Sequence, residues 1–585
     1  MAEEESWPGP SNDSRRDYTD TGVVIIGAGV GGMCVAIDLI TRNNSRDFVI
    51  LEKSAGVGGV WYDNTYPGCG ADVQSIMYSY SFAQNSEWSR SLPGQKEILA
   101  YFTRVAQHYR LYEHIRFGSL VEGSTWDENS KKWHTNVKLA QGSREAETNP
   151  GYTISSNFLV SAVGQLNQPR YPDIQGLNGF TGKTMHSSRW DWSYDLTGKT
   201  VALVGTGCSA VQILPEVAKF AKKVTVFQRE PHWIIPRGDY EIPESTRALY
   251  RLFPYLQDYW RRRHICDREA THAALSFGTH EENKTVKKMA LDHMHEQLPN
   301  QPELWEKLTP KYALGCKRIV MSDSFYPALA RPNVHLETRH IHSIKDDVIR
   351  VTGKDGQLAD AEPHYDLIIC ATGFRAQEFL HPLKIVGRNG RVLHDQWKDG
   401  AQAYLGTCAE DMPNLGIILG PNSGLLHNSF ILMIEAQSRY ISGLVKPVLE
   451  ARKQGKTLSL TPRHEKMEQY NKEIQERLQS FAVTDNGCNN WYKTDSGRIT
   501  NLWPGLVKEY QQLLERVYYQ DYEVGGTGKE IVESKPSHKV GRAKEELGTL
   551  EQLSLKTLVA FSTTAVVGGI VLRNMGLGSV LKVGW

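Results

Sequence analysis

Residues 22–40 read GVVIIGAGVGGMCVAIDLI. The β-branched run from Val23 to Ile26 predicts a buried strand. It turns through Gly27, Gly29 and Gly32 into an apolar stretch with helical spacing. A βαβ unit needs glycine at these three points. Gly27 permits the tight turn, Gly29 lets the backbone approach a pyrophosphate, and Gly32 allows close helix–strand contact. The helix start then offers free N–H groups and the positive end of its dipole to phosphate. A second strand is predicted in DFVILEK, residues 47–53, with Glu52 near its end. A carboxylate there can accept both hydroxyls of an adenosine ribose.

The same unit recurs at 200–230, TVALVGTGCSAVQILPEVAKFAKKVTVFQRE. Gly205, Gly207 and Ala210 take the three glycine places, and Thr206 and Ser209 lie in the phosphate turn. At the ribose position this copy carries Arg229 instead of an acid. A carboxylate repels a 2′-phosphate, whereas a guanidinium pairs with one. The first site therefore suits FAD and the second NADPH. The expected fold is α/β, with two Rossmann-like dinucleotide-binding domains and a helical insertion.

Two apolar strands ending in small-residue turns, at 157–176 and 365–374, join the nucleotide units. Between these two stretches, residues 233–332 carry charged and aromatic residues at helical spacing. The expected division is a disordered tail at 1–20, then the FAD domain at 21–165 and 386–525. The NADPH domain is expected at 166–232 and 333–385, interrupted by a helical insertion at 233–332. A C-terminal extension at 526–585 completes the chain.

The chain has 585 residues, a net charge of +1 and 40% hydrophobic residues, enough for two or three packed cores. No basic stripe with interleaved aromatics points to nucleic acid. The eight cysteines contain no CxxC pair, which removes a dithiol reductase and a zinc ribbon, and no metal site is expected. Scattered single cysteines suit a reducing, cytoplasmic setting. The polar N-terminus lacks the apolar core of a signal peptide. Residues 557–572, TLVAFSTTAVVGGIVL, are uncharged. As a helix they reach about 24 Å, against about 30 Å of hydrocarbon. A helix packed on the protein and a membrane contact both remain open readings.

One further stretch names a family. Residues 180–191, FTGKTMHSSRWD, match the fingerprint F-x-G-x-x-x-H-x-x-x-W-[P/D] at Phe180, Gly182, His186, Trp190 and Asp191. It lies between the two glycine-rich units. The chain thus resembles the type I Baeyer–Villiger monooxygenases over about 21–520, and its GCNNWY (487–492) and LWPG (502–505) segments look most like fungal members. The resemblance implies FAD and NADPH as cofactors and a small-molecule ketone and dioxygen as reactants. The implied product is an ester or lactone, and the implied substrate a bulky cyclic natural-product ketone.

Site residues follow from the same resemblance. Arg318, in GCKR, matches the active-site Arg, a charge that persists at any working pH. Asp72 matches the acid that lies near the flavin and orients this Arg. His186 matches a hinge histidine that couples domain rotation to nicotinamide position. Gly59, Trp61 and Tyr78 match the flavin pocket, and Val121 a backbone contact to adenine. Lys317 matches a residue that reaches the 2′-phosphate, and Trp491 an aromatic on the loop that closes over nicotinamide and substrate. The chain departs from the pattern at Glu230, where many members carry Thr or Ser. A carboxylate there weakens binding of a dianion unless it points away or pairs with Arg229. It also carries Cys69-Gly70-Ala71 where bacterial members often have an Arg. Two other functions stay open: an N- or S-oxygenating flavin monooxygenase, and a non-enzymatic membrane-tethered flavoprotein adaptor. Trp190–Asp191 and Arg318 argue against the first, and the intact Arg318 and Asp72 against the second.

Overall fold

The structure is a computed structural model that describes residues 19–140, 151–353 and 356–542. The segment 557–572, read above as packed or membrane-contacting, and most of the tail at 1–20 lie outside the described residues. Among the described residues no helix is long and apolar enough to cross a membrane.

The chain builds two Rossmann-like sheets. In the first, strand Asp20–Ile26 is central and pairs in parallel with Phe48–Leu51 on one side and Gly151–Ser161 on the other. Six of its seven residues are buried, because helices Val30–Arg42 and Phe430–Lys453 pack on one face while the other meets Trp126, Trp133, Phe379 and Met412. An antiparallel meander, Ser119–Asp127 with Lys132–Leu139, extends this sheet from Gly151–Ser161. Two later strands return to it: Lys384–Val386 joins Ser119–Asp127, and Leu415–Ile417 joins Gly151–Ser161. The long helix Phe430–Lys453 packs on helix Val30–Arg42 and places Ile434, Ile441, Leu444 and Val445 in the core they share. Its start is capped by Ser429, whose Oγ accepts from the Ile431 N–H at 3.3 Å.

The second sheet is wholly parallel. Thr200–Val204 lies at its centre, between Lys223–Phe227 and Leu367–Cys370, with Val334–Glu337 and Lys183–His186 at the edges. The fingerprint stretch therefore supplies an edge strand, in register so that His186 faces Cys370. The insertion is helical: Glu244–Leu252, Pro254–Ala270, His272–Ser276, Glu281–Gln297 and Pro302–Leu308. Pro254 and Pro302 each sit in the first turn of their helix, where a missing N–H costs nothing.

The reading of the cysteines as unpaired needs correction. Cys316 and Cys488 are disulfide-bonded across 172 positions, while the other six are free thiols. No local spacing announces such a pair, because only the tertiary fold brings its two segments together.

Candidate active site

Both glycine turns have the form that a dinucleotide needs. Gly27 and Gly205 lie at φ +102° and +114°, a region L-residues rarely adopt. Helices Val30–Arg42 and Cys208–Val217 begin at Gly29 and Gly207 with no side-chain cap, so their first N–H groups stay open to phosphate. Gly59 approaches Gly29 so closely that a Cβ on Gly59 would lie 2.9 Å from the Gly29 Cα.

Glu52 is buried. Its Oε2 accepts from the Ala28 N–H and its Oε1 from the Ser54 N–H, both at 2.7 Å. Each carboxylate oxygen has a second lone pair, so capacity for ribose hydroxyls remains. A cavity of about 460 Å³ opens beside it, lined by Lys53, Ser54, Gly118, Leu120 and Arg189. Val121 is buried in the adjoining core with Val24 and Leu51. Trp61 donates its indole N–H to the Tyr78 hydroxyl at 3.1 Å, with the rings edge to face. Burial pushes the Tyr78 phenol well above its usual range, so it stays protonated.

Asp72 follows the YPGCGA turn of the first unit, and Arg318 leaves the insertion just before strand Val320–Met321. Arg318 Nε and Nη2 both donate to Asp72 Oδ2, at 2.8 and 2.6 Å. Nη1 makes no bond to the described residues. The side chains are 25% and 33% exposed, so the pair is sheltered but open on one side. Burial alone would raise the Asp72 carboxyl. The Arg318 charge and its hydrogen bonds outweigh that and hold it below the usual carboxylate range. In turn, Asp72 tightens the hold of Arg318 on its proton. A second cation, Arg268, donates to Gln74 at 3.1 Å and acts electrostatically on Asp72. Nothing in the spacing of the insertion marks it.

At the second turn, Thr206 Oγ1 donates to the Glu230 carbonyl at 3.2 Å. Arg229 is exposed at the strand end with no ion pair among the described residues. The Glu230 carboxylate makes no ion pair with Arg229 among the described residues. It holds Lys317, which also sits 4.8 Å over the Tyr312 ring. The residue matched to a 2′-phosphate contact is thus engaged by the acid that departs from the family pattern.

His186 is fully buried. Its Nδ1 accepts from the Ser188 N–H at 3.2 Å, so the proton sits on Nε2, which donates to the Gly373 carbonyl at 3.0 Å. Burial lowers its pKa to about 4. A neutral imidazole fixed between an edge strand and the turn at 371–373 is a mechanical tie. At neutral pH it is uncharged, so it does not act as a general acid. Asp191 pairs with Lys183 at 2.8 Å and accepts from Ser193, which closes the fingerprint loop on itself. The Trp491 ring lies 4.2 Å from that of Tyr492, tilted at 37°, and Tyr492 is a buried residue whose hydroxyl has no partner among the described residues. Ser209 lies in the second phosphate turn, half-buried.

Comparison with known proteins places this geometry. The flavin-binding monooxygenase-like family matches residues 20–260. The FAD-binding monooxygenase ktnD of Aspergillus niger is 46% identical over 541 residues, which span 92% of this chain and 88% of that protein. A Baeyer–Villiger monooxygenase of Streptomyces coelicolor is 38% identical over 502 residues, 86% of this chain and 92% of its own. This chain belongs to the type I Baeyer–Villiger monooxygenases. The family consists of flavoenzymes that take electrons from NADPH. The fold agrees: the OTEMO complex with FAD and NADP aligns with a TM-score of 0.73 and 27% identity, over 86% of this chain and 99% of that one. In this monooxygenase the two glycine turns, the Asp72–Arg318 pair and the His186 tie all come from elements that the sequence marks. Gly373, Ser188, Arg268 and Tyr492 were not marked, because their roles depend on contacts that no spacing encodes.

Proposed function

We propose that the substrate of this Baeyer–Villiger monooxygenase is a bulky cyclic ketone, converted to an ester or lactone with NADPH as electron donor and dioxygen as oxygen source. One solved relative is a steroid monooxygenase bound to NADP, 28% identical and covering 89% of this chain, which favours a polycyclic skeleton. The first site fits FAD on three counts. The Gly29–Gly59 approach leaves room only for backbone, the helix start at Val30 is uncapped, and Glu52 keeps free lone pairs beside a cavity. Gly27, Gly29, Gly32, Glu52, Gly59, Trp61, Tyr78 and Val121 would hold that cofactor. Gly205, Thr206, Gly207, Ser209, Arg229, Lys317 and Trp491 would hold NADPH. Reduced FAD supplies the activation of dioxygen.

The observation that carries the reading is the Asp72–Arg318 pair. Asp72 occupies Nε and Nη2 of the guanidinium and leaves Nη1 without a hydrogen-bond partner among the described residues. In that position a permanent positive charge stabilises negative charge developing on oxygen, and it does so without giving up a proton. Heteroatom oxygenation has no carbonyl on which such charge develops. The test is turnover of the purified, FAD-loaded protein with NADPH and air, offered a panel of polycyclic ketones and one thioether. The reading predicts ketone products heavier by one oxygen atom. Conversion of the thioether alone would overturn it. An anaerobic sample whose yellow colour NADPH never bleaches would overturn the enzyme reading altogether.

A further inference from the structure

The Cys316–Cys488 bond joins two segments that the reaction must coordinate. Cys316 immediately precedes Lys317 and Arg318, and Cys488 lies three residues before Trp491. The bond sits in a small apolar cluster with Trp233, Tyr312 and Leu314. Around it the loop is held by polar contacts. Asp485 Oδ2 accepts from the Ala313 N–H at 2.9 Å, and Asn490 Nδ2 donates to Cys316 Sγ at 3.3 Å and to the Val483 carbonyl at 3.0 Å. Asn490 Oδ1 in turn accepts from the N–H groups of Tyr492 and Lys493, at 2.9 and 3.1 Å. One covalent bond therefore sets where the 485–493 loop, with Trp491 and Tyr492, lies relative to the two cations at 317 and 318.

We propose that Cys316 and Cys488 form a redox-modifiable staple that fixes this loop beside Lys317 and Arg318 and thereby sets the affinity for the nicotinamide nucleotide. The inference rests on the reading of the second glycine turn as an NADPH site. Oxidation is a two-electron step. One thiolate attacks a peroxide oxygen, the O–O bond breaks and a sulfenic acid forms. The second thiolate then attacks that sulfur, the S–S bond forms and hydroxide leaves. Two thiols and one hydrogen peroxide give one disulfide and two waters. A dithiol reverses the bond by exchange. With the bond open, only hydrogen bonds and side-chain packing hold the loop, so this arrangement is less populated and apparent affinity falls in proportion.

The experiment uses the full chain in two states, treated with hydrogen peroxide or with dithiothreitol. Alkylation with mass analysis counts thiols, calorimetry measures NADP⁺ binding, and brief trypsin treatment reports loop access at Lys493 and Arg498. Six alkylated cysteines are expected in the oxidised state and eight after reduction. Reduction is expected to weaken NADP⁺ binding about five- to tenfold, within the usual range of coupling between sites, and to speed loop cleavage. The Cys488→Ser variant is expected to show the reduced-state affinity under both treatments. Eight alkylatable thiols after peroxide would overturn the proposal. So would a lowered melting temperature with unchanged NADP⁺ affinity, because a merely structural bond behaves that way. Loss of NADP⁺ binding in both states would overturn the NADPH reading as well.

Discussion

Glu230 is the residue on which the proposed NADPH site can be tested. Its carboxylate holds Lys317 beside the second glycine turn, while Arg229 is exposed and has no ion pair among the described residues. A 2′-phosphate approaching this site meets one free cation, one engaged cation and one anion. Removing the anion releases Lys317 and ends the repulsion. Glu230→Gln is expected to lower the KM for NADPH about tenfold, worth about 1.4 kcal/mol, and to leave that for NADH almost unchanged. Steady-state kinetics with both nucleotides checks this. His186 makes a second residue-scale prediction. Its pKa falls from 6.5 in the unfolded chain to about 4 in the folded one. Between these values the unfolded state binds more protons, so the stability contributed by neutral His186 is complete above pH 6.5 and is lost as pH falls toward 4. The effect is of the order of 3 kcal/mol. The melting temperature should fall over that window, and a His186→Gln variant should show a shallower fall.

At the scale of elements, the glycine turns were legible because their chemistry is local. A strand, a turn at positive φ and an uncapped helix start leave a pattern of residue types in sequence order. Gly59 tests this. A Cβ there would lie 2.9 Å from the Gly29 Cα, and the residue is at φ +57°. Gly59→Ala is expected to fold and to lose most of its flavin, read as the ratio of absorbance at about 450 nm to that at 280 nm. Strand ends were less legible. The second unit's strand stops at Phe227, so Arg229 lies beyond the ladder, where an exposed side chain is free to reach a ligand. The fingerprint around His186 was readable as a motif but not as an edge strand. Its pairing with Leu367–Cys370 spans more than half the sheet's sequence and has no local signature.

At the scale of the whole molecule, the site exists only because distant segments meet. Asp72 and Arg318 are 246 positions apart, and Cys316 and Cys488 are 172 apart. The first pair was found through its motifs. The second was missed because nothing but the completed fold brings those cysteines into contact. Closing a loop of that length removes chain entropy from the unfolded state worth about 5 kcal/mol. It does so at the segment that carries Arg318, the proposed active-site cation. The account as a whole depends on that cation. The most direct measurement is product formation by an Arg318→Ala variant that still carries FAD and still binds NADP⁺. Ester or lactone formation is predicted to fall about 100- to 1000-fold, the usual cost of deleting one group that stabilises developing charge. Product formed at the wild-type rate would contradict the account.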